Sequence, residues 1–285
     1  MKIKTVGVVG AGIMGAGIVQ VCAQSGYRVV VLEINDELLQ KGLGTVDHFL
    51  GRAVKKEKIT AEKKDQILGL IQGTTDPKDF KDCDLIVEAI IENLELKKEM
   101  FKQLDEVCPP HALLTSNTSS MTITEMAAVT ERMDKVAGLH FFNPVPIMRL
   151  VEIVRTIVTS DETVEALREF SESLGKTVVV AKDTPGFIVN RLLIPYLLNA
   201  IRVYESSLAS TEDIDTAIEL GLNHPMGPFR LLDILGNDTT LFIADNMFDE
   251  FKDDMYAAPV LLRRMVSAGI LGRKSGKGFC GEYKR

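Results

Sequence analysis

A glycine-rich turn near the beginning of the chain, Gly10-Ala11-Gly12-Ile13-Met14-Gly15, constrains the fold more than any other feature. It directly follows an apolar, β-branched run at residues 5–9 and precedes an apolar stretch with helical spacing. In a strand–turn–helix unit of this kind, Gly10 permits the tight turn and Gly12 lets the backbone approach a pyrophosphate. Gly15 allows the helix to pack closely on the strand. The motif predicts a parallel α/β sheet with a dinucleotide at its edge, the alternative being a purely structural glycine turn.

An acidic residue stands where such a fold binds the ribose of its ligand. Glu33 closes the next β-branched run, 18 residues beyond Gly15. A carboxylate at this point binds the ribose 2′-hydroxyl and repels a 2′-phosphate. Because Ile34 and Asn35 supply no arginine to reverse that preference, we expect NAD rather than NADP.

Short β-branched runs alternate with longer helical patterns through the first part of the chain. After residues 5–9, the predicted strands are 29–32, 85–90, 113–115, 136–139, 151–154 and 177–180. This alternation predicts a Rossmann-type, doubly wound and mainly parallel sheet. Beyond Thr184-Pro185-Gly186 the β-branched runs stop and helical spacing continues. We therefore predict an α/β domain over residues 1–183 and an all-helical domain over residues 184–285.

Composition excludes several classes of protein. With 285 residues and a formal net charge of -7, the chain lacks the basic surface that binding to nucleic acid requires. Its four cysteines form no CxxC pair, so neither a zinc site nor a disulfide framework is predicted. We find no uncharged apolar run long enough to cross a bilayer and no signal-type segment before the first strand. We therefore expect a cytoplasmic protein without a membrane anchor or a metal.

A histidine and a glutamate are the candidates for proton transfer. His140 ends the run 136–139, and the carboxyl ends of parallel strands form the ligand crevice. A lone histidine there is more often a structural residue. Glu152, however, lies inside an apolar run where an unpaired buried carboxylate would be costly. We predict that Glu152 orients His140 as an acid/base pair, unless Glu152 lies on an exposed face of its strand.

Two further polar groups are ambiguous when taken alone. The segment Ser116-Asn117-Thr118-Ser119-Ser120 follows a predicted strand, and Asn190 stands near the predicted domain junction. Serine, threonine and asparagine also serve as ordinary helix caps and loop residues. Residue type therefore does not decide between a structural and a functional role for either group.

Several motifs together resemble those of the (3S)-3-hydroxyacyl-CoA dehydrogenases, in particular the short bacterial members that act on 3-hydroxybutyryl-CoA. The resemblance covers nearly the whole chain. Besides the turn at 10–15, the segments that carry it are 87–93 (VEAIIEN), 116–120 (SNTSS), 140–144 (HFFNP), 183–187 (DTPGF), 189–191 (VNR) and 272–276 (GRKSG). The resemblance implies hydride transfer with NAD between (S)-3-hydroxybutyryl-CoA and acetoacetyl-CoA, carried out by a homodimer.

The resemblance also implies roles for individual residues. His140 would be the general acid/base and Glu152 its orienting carboxylate, while Ser119 and Asn190 would hold the substrate oxygens, one from each domain. Lys56 would meet the CoA moiety. The residues implied to bind the cofactor are Gly10, Gly12, Ile13, Met14, Gly15 and Glu33, with Glu92, Lys97, Ser119 and Asn143 along its nicotinamide half. Many family members carry aspartate where this chain has Glu33, which keeps the charge on a longer side chain.

Two alternatives stay open at this point. A β-hydroxyacid dehydrogenase acting on a free acid would share the fold, but it would be expected to transfer the proton with a lysine. A noncatalytic NAD-binding protein could keep the same scaffold. The joint presence of Ser119, His140, Glu152 and Asn190 speaks against the noncatalytic alternative.

Overall fold

Eight strands form a single sheet in the first part of the chain, which a computed structural model describes over residues 2–283. The strand order is β3-β2-β1-β4-β5-β6-β7-β8, and every neighbouring pair is parallel except β6 and β7. The strands are β1 (Thr5–Val9), β2 (Arg28–Leu32), β3 (Ile71–Thr74), β4 (Leu85–Glu88), β5 (Leu113–Ser116), β6 (Val136–Phe141), β7 (Leu150–Arg155) and β8 (Thr177–Lys182).

Helices connect the strands of this α/β unit and cover the sheet. They are α1 (Ile13–Gln24), α2 (Asp36–Lys55), α3 (Ala61–Leu68), α4 (Leu94–Val107), α5 (Ile123–Ala127) and α6 (Asp161–Ser173). Every residue of β1, β4, β5 and β6 is buried. Strands covered on both faces need continuous apolar, β-branched sequences, which is why these runs were recognisable.

The sheet reverses its winding direction at β1. From β1 the chain winds outward through β2 and β3, and it then returns to β4 on the other side of β1. The carboxyl ends of β1 and β4 therefore border a crevice at the switch point, where α/β sheets bind ligands. The glycine-rich turn lies at this position, between β1 and α1.

The described chain divides between Asp183 and Thr184 into two units. The second, helical unit contains α7 (Val189–Glu205), α8 (Thr211–Leu222), α9 (Pro228–Leu235), α10 (Asn237–Phe251) and α11 (Val260–Ser267), followed by the short strands β9 (Lys277–Gly278) and β10 (Gly281–Glu282). Its core contains Leu197, Leu198, Phe229 and Met247. Buried Asp233 fixes the tail, because its carboxylate accepts the N–H groups of Phe279 and Cys280, each at 2.8 Å.

The predicted α/β sheet and the helical region that follows it are confirmed, with local differences. Strand β3 was missed because its sequence, IQGT, is short and mostly not buried. The run at 85–90 ends as a strand at Glu88, whereas the run at 136–139 continues to Phe141. The glycine-rich tail, expected to be irregular, includes the β9–β10 pair. No helix in the described part is long and apolar enough to cross a membrane.

Two helical glycines provide a matched test of packing at the turn. A Cβ on Gly15 would lie 1.9 Å from the carbonyl oxygen of Gly10, whereas a Cβ on Gly44 in α2 meets nothing within 4 Å. Gly15→Ala should lower the free energy of unfolding by about 1–3 kcal/mol through overpacking. Gly44→Ala should raise it by about 0.5–1 kcal/mol. Thermal and urea unfolding measure both changes, and equal stabilities for the two variants would contradict this account of Gly15.

Candidate active site

The glycine-rich turn leaves open space against the first turn of α1. Gly10 has a φ of 92°, and a Cβ there would lie 2.8 Å from the carbonyl oxygen of Ala89. A Cβ on Gly12 would meet nothing within 4 Å. The N-cap residue of α1 is Gly12, which has no side chain to cap the helix. Backbone N–H groups at such a helix start suit an anion such as a pyrophosphate.

Glu33 lies beside this turn and is oriented by backbone donors. Its Oε1 accepts the N–H of Ala11 at 2.6 Å, and its Oε2 accepts the N–H of Ile34 at 3.2 Å. A cavity of about 620 Å³ runs from the turn past Glu33. Its apolar wall includes Ile34, Leu38, Pro77, Ile91, Leu96 and Met100. A carboxylate beside an apolar slot fits the ribose and adenine of a dinucleotide.

His140 and Glu152 form a hydrogen-bonded pair inside the sheet. They lie directly opposite each other in the antiparallel β6–β7 register, and Nδ1 of His140 is 2.8 Å from Oε2 of Glu152. Glu152 is 0% exposed and His140 is 6% exposed, so the alternative of an exposed strand face for Glu152 is wrong. The Phe142 ring packs against the imidazole with a centroid distance of 4.5 Å. A carboxylate on Nδ1 fixes the ring and leaves proton transfer to Nε2.

Asn117 joins the ends of three strands beside His140. Its backbone N–H donates to the carbonyl of Glu88 at the end of β4, and its Oδ1 accepts the N–H of Phe141 in β6. The β5–β6 ladder stops at the pair Ser116 and Gly138, so this side chain replaces the next ladder bond. Asn117 thereby holds the strand end that carries His140.

A second buried carboxylate, Glu88, lies at the end of β4. Its Oε1 accepts from the Lys97 ammonium at 2.6 Å and from the N–H of Ile90 at 2.7 Å, while its Oε2 accepts from the Ser116 hydroxyl at 2.6 Å. Glu88 is 0% exposed and Lys97 is 1% exposed. The pair therefore satisfies the requirement that a buried charge be paired and hydrogen-bonded.

Glu92 connects this ion pair to the segment that carries Ser119. Its carboxylate lies 3.3 Å from the Lys97 ammonium, accepts the Thr118 hydroxyl at 2.9 Å, and accepts the N–H of Ser119 at 3.2 Å. The structure thus brings Glu92, Lys97 and Ser119 together, and their contact with the nicotinamide half of the cofactor stays a prediction. The Lys97 ammonium faces three protein acceptors, Glu88, Glu92 and the Ile90 carbonyl.

The loop that carries Asn143 follows β6 and is fixed by hydrogen bonds from Lys176. Asn143 is exposed and precedes a cis peptide bond to Pro144. The Lys176 ammonium donates to the carbonyls of Val145 and Met148 at 2.5 and 2.8 Å. Burial of this amine lowers the pKa of Lys176 below its usual range. Lys176 thus fixes the loop on which Asn143 is presented.

Lys56 and Asn190 take part in none of the hydrogen bonds described above. Lys56 is exposed just after the last residue of α2, a helix of 20 residues and therefore about 30 Å long. Arg52 and Lys55 lie in the last turn of the same helix and add positive charge. Asn190 belongs to the other unit, where it is partly buried in the first turn of α7. Their assigned roles stay predictions.

Three residues that organise the site had no role predicted from the sequence: Glu88, Asn117 and Lys176. The signal for Glu88 was present, because an acidic residue ends the apolar strand Leu85–Glu88 just as Glu152 interrupts an apolar run. No comparable signal marked Lys176, whose two acceptors lie 31 and 28 residues earlier in the chain. Among residues 2–283, no three histidine, cysteine or acidic side chains are placed to hold a metal ion.

Comparisons with known proteins agree with this geometry. The family model of the 3-hydroxyacyl-CoA dehydrogenase NAD binding domain matches residues 5–184, and the model of the C-terminal domain matches residues 186–282. The chain is 50% identical over 279 residues to a 3-hydroxybutyryl-CoA dehydrogenase of Mycobacterium tuberculosis, covering 97% of this chain and 98% of that protein. It is 46% identical over 284 residues to the mitochondrial hydroxyacyl-coenzyme A dehydrogenase of Homo sapiens, covering 97% and 90% of the two chains.

A solved structure gives the same result for the fold. The crystal structure of (S)-3-hydroxybutyryl-CoA dehydrogenase from Ralstonia eutropha matches with a TM-score of 0.96 and 46% identity, covering 100% of both chains. The resemblance carried by the sequence motifs is therefore confirmed. The two family models together span both units, and the chain belongs to the 3-hydroxyacyl-CoA dehydrogenase family.

Proposed function

We propose that this protein interconverts (S)-3-hydroxybutyryl-CoA and acetoacetyl-CoA with NAD(H). The observation that carries the proposal is the buried His140–Glu152 pair near the carboxyl end of β6, in a sheet that also holds a dinucleotide-type glycine turn. Relatives named 3-hydroxybutyryl-CoA dehydrogenase, 44–50% identical over nearly the whole chain, support this choice of substrate.

The residues present fit NAD. The open space at Gly12, the uncapped start of α1 and the Glu33 carboxylate suit a pyrophosphate and a ribose with a free 2′-hydroxyl. When bound, the cofactor supplies or accepts the hydride at the carbon that carries the substrate oxygen. The turn formed by Gly10, Gly12 and Gly15 lets the backbone approach the phosphates closely. Glu33 binds the ribose and favours one with a free 2′-hydroxyl.

His140 moves the proton in this mechanism. In the reducing direction its Nε2 donates a proton to the substrate oxygen as negative charge develops there, and in the oxidising direction the same nitrogen removes it. Glu152 holds the opposite nitrogen, Nδ1, so the ring keeps one orientation and its charged form is stabilised. The antiparallel β6–β7 register places this carboxylate without any rearrangement.

The remaining residues position the substrate. We assign Ser119 and Asn190 to the substrate oxygens, where hydroxyl and amide donors stabilise developing negative charge. Asn143 and Glu92 are assigned to the nicotinamide side, and Lys56 to the phosphates of CoA. Lys56 follows the last turn of α2, where Arg52 and Lys55 add positive charge, and this charge suits the phosphates of CoA. The homodimer and the cytoplasmic location stay predictions.

The function and the choice of cofactor are tested in one assay. Oxidation of NADH by acetoacetyl-CoA, followed by absorbance, should proceed with a kcat/KM at least about tenfold above that for NADPH, because Glu33 repels a 2′-phosphate. Free acetoacetate should be a poor substrate. Activity confined to the free acid would favour a β-hydroxyacid dehydrogenase, and a kcat/KM for NADPH equal to that for NADH would refute the role of Glu33.

Lys56→Ala should raise the KM for acetoacetyl-CoA about two- to fivefold, because an exposed charge pair is lost. The effect should shrink at high salt, which screens such pairs. Lys81→Ala, at another exposed lysine of the α/β unit, serves as the matched control and should leave KM unchanged. If Lys56→Ala weakened a truncated thioester lacking the nucleotide by the same factor, contact with the CoA phosphates would be refuted.

The His140–Glu152 pair should act as a unit. His140→Ala should lower kcat about 10²- to 10⁴-fold, the usual loss for a general acid/base, while the Kd for NADH stays nearly constant. Glu152→Gln should also lower kcat because a neutral partner no longer stabilises the imidazolium. The double variant should be little slower than His140→Ala, since there is no imidazole left to orient. His48→Ala, at an exposed histidine in α2, is the control, and additive losses in the double variant would remove Glu152 from the mechanism.

A further inference from the structure

Three charged residues at the end of β4 form a connected group that the proton-transfer mechanism does not use. Glu88 and Lys97 are buried, and Glu92 has a side chain that is 31% exposed. Lys97 lies 2.6 Å from Glu88 and 3.3 Å from Glu92. These three residues are called the β4 cluster below.

The β4 cluster has a formal net charge of minus one. Its two carboxylates share a single ammonium, and the ammonium is fully engaged by Glu88, Glu92 and the Ile90 carbonyl. The other donors to Glu88, the Ser116 hydroxyl and the Ile90 N–H, are neutral dipoles. They stabilise the charge of the carboxylate without cancelling it. Because Glu88 and Lys97 are excluded from water, solvent and salt screen these charges weakly.

The order of the strands places the β4 cluster between the glycine-rich turn and His140. The glycine turn follows β1, Glu33 follows β2, and His140 lies on β6. A dinucleotide whose adenosine lies beside Glu33 must extend across the ends of β4 and β5 to bring its reacting ring to His140. The β4 cluster and Ser119 lie at those two strand ends.

This inference rests on the proposed function: we propose that the net negative charge of the β4 cluster raises the affinity for NAD⁺ relative to NADH. The two forms of the cofactor differ by one positive charge on the nicotinamide ring. A fixed negative charge nearby attracts the oxidised form and leaves the reduced form almost unaffected. The bound equilibrium shifts toward NAD⁺, so hydride transfer to the 3-oxoacyl group becomes more favourable than it would be without the cluster.

Binding measurements on designed variants test this inference without relying on turnover. The Kd for NADH is measured by the fluorescence of its nicotinamide, and the Kd for NAD⁺ by displacement of NADH. Glu88→Gln neutralises the β4 cluster, so the ratio of the Kd for NAD⁺ to the Kd for NADH should rise about three- to twentyfold. This range corresponds to one unit charge at roughly 10 to 25 Å at an effective dielectric near 20.

A charge-restoring variant separates charge from structure. Glu88→Gln combined with Lys97→Met removes the buried ion pair but returns the cluster to minus one, carried by Glu92. Its Kd ratio should lie within about twofold of the wild-type ratio. This change is smaller than the one expected for Glu88→Gln alone. Glu95→Gln is the matched control. Glu95 lies in α4, the helix that carries Lys97, but its side chain is 80% exposed and pairs with Lys98. This substitution should leave the ratio unchanged.

The outcomes separate this inference from the proposed function. A wild-type protein that neither binds NADH nor reduces acetoacetyl-CoA refutes the proposed function. If the wild type is active but Glu88→Gln weakens both forms of the cofactor equally, the pair is only structural and the inference fails. If Glu88→Gln does not fold, Glu92→Gln decides, because neutralising this partly exposed acid should raise the Kd ratio in the same direction. An unchanged ratio in Glu92→Gln would overturn the inference.

Discussion

Burial of carboxylates at the carboxyl edge of the sheet is the constraint on which the site depends. Glu88 and Glu152 are both 0% exposed, and a buried charge is tolerated only when donors surround it. Each carboxylate therefore fixes its neighbours: Glu152 fixes the ring of His140, and Glu88 fixes Lys97 and the Ser116 hydroxyl. The donors that stabilise these carboxylates are also residues of the site. The site must therefore stay ordered, because the loss of a donor would leave a buried carboxylate unpaired.

The single antiparallel pair in the sheet gives the catalytic pair its geometry. Directly opposite residues on antiparallel strands have Cβ atoms about 4.5–5.5 Å apart and project from the same face. His140 and Glu152 occupy such positions, so a glutamate side chain spans the gap and reaches Nδ1 at 2.8 Å. Asn117 then closes the other side of β6 by accepting the N–H of Phe141. The histidine is held between two strand contacts rather than by a flexible loop.

Most of the fold was predictable because the central strands are buried on both faces and must be apolar along their whole length. Strand β3 was missed since its edge position imposes no such pattern. For the site, the rule that a carboxylate in an apolar strand needs a partner found Glu152, and it applies equally to Glu88. Lys176 could not be found this way, because its type suggests a surface residue and its acceptors come from a distant loop. Long-range contacts of polar groups are set by packing, which the local pattern does not contain.

The two buried carboxylates perform different tasks because their partners differ. An imidazole gains and loses a proton near neutral pH, so the pairing of Glu152 with His140 yields a group that can transfer protons. Lys97 offers Glu88 an ammonium whose N–H groups are all directed at protein acceptors, so the pairing of Glu88 with Lys97 yields a buried ion pair. The same residue type, buried at two places in one sheet, thus belongs to a proton-transfer pair in one place and to an ion pair in the other. The choice of partner, rather than the acid itself, determines which chemistry each carboxylate supports.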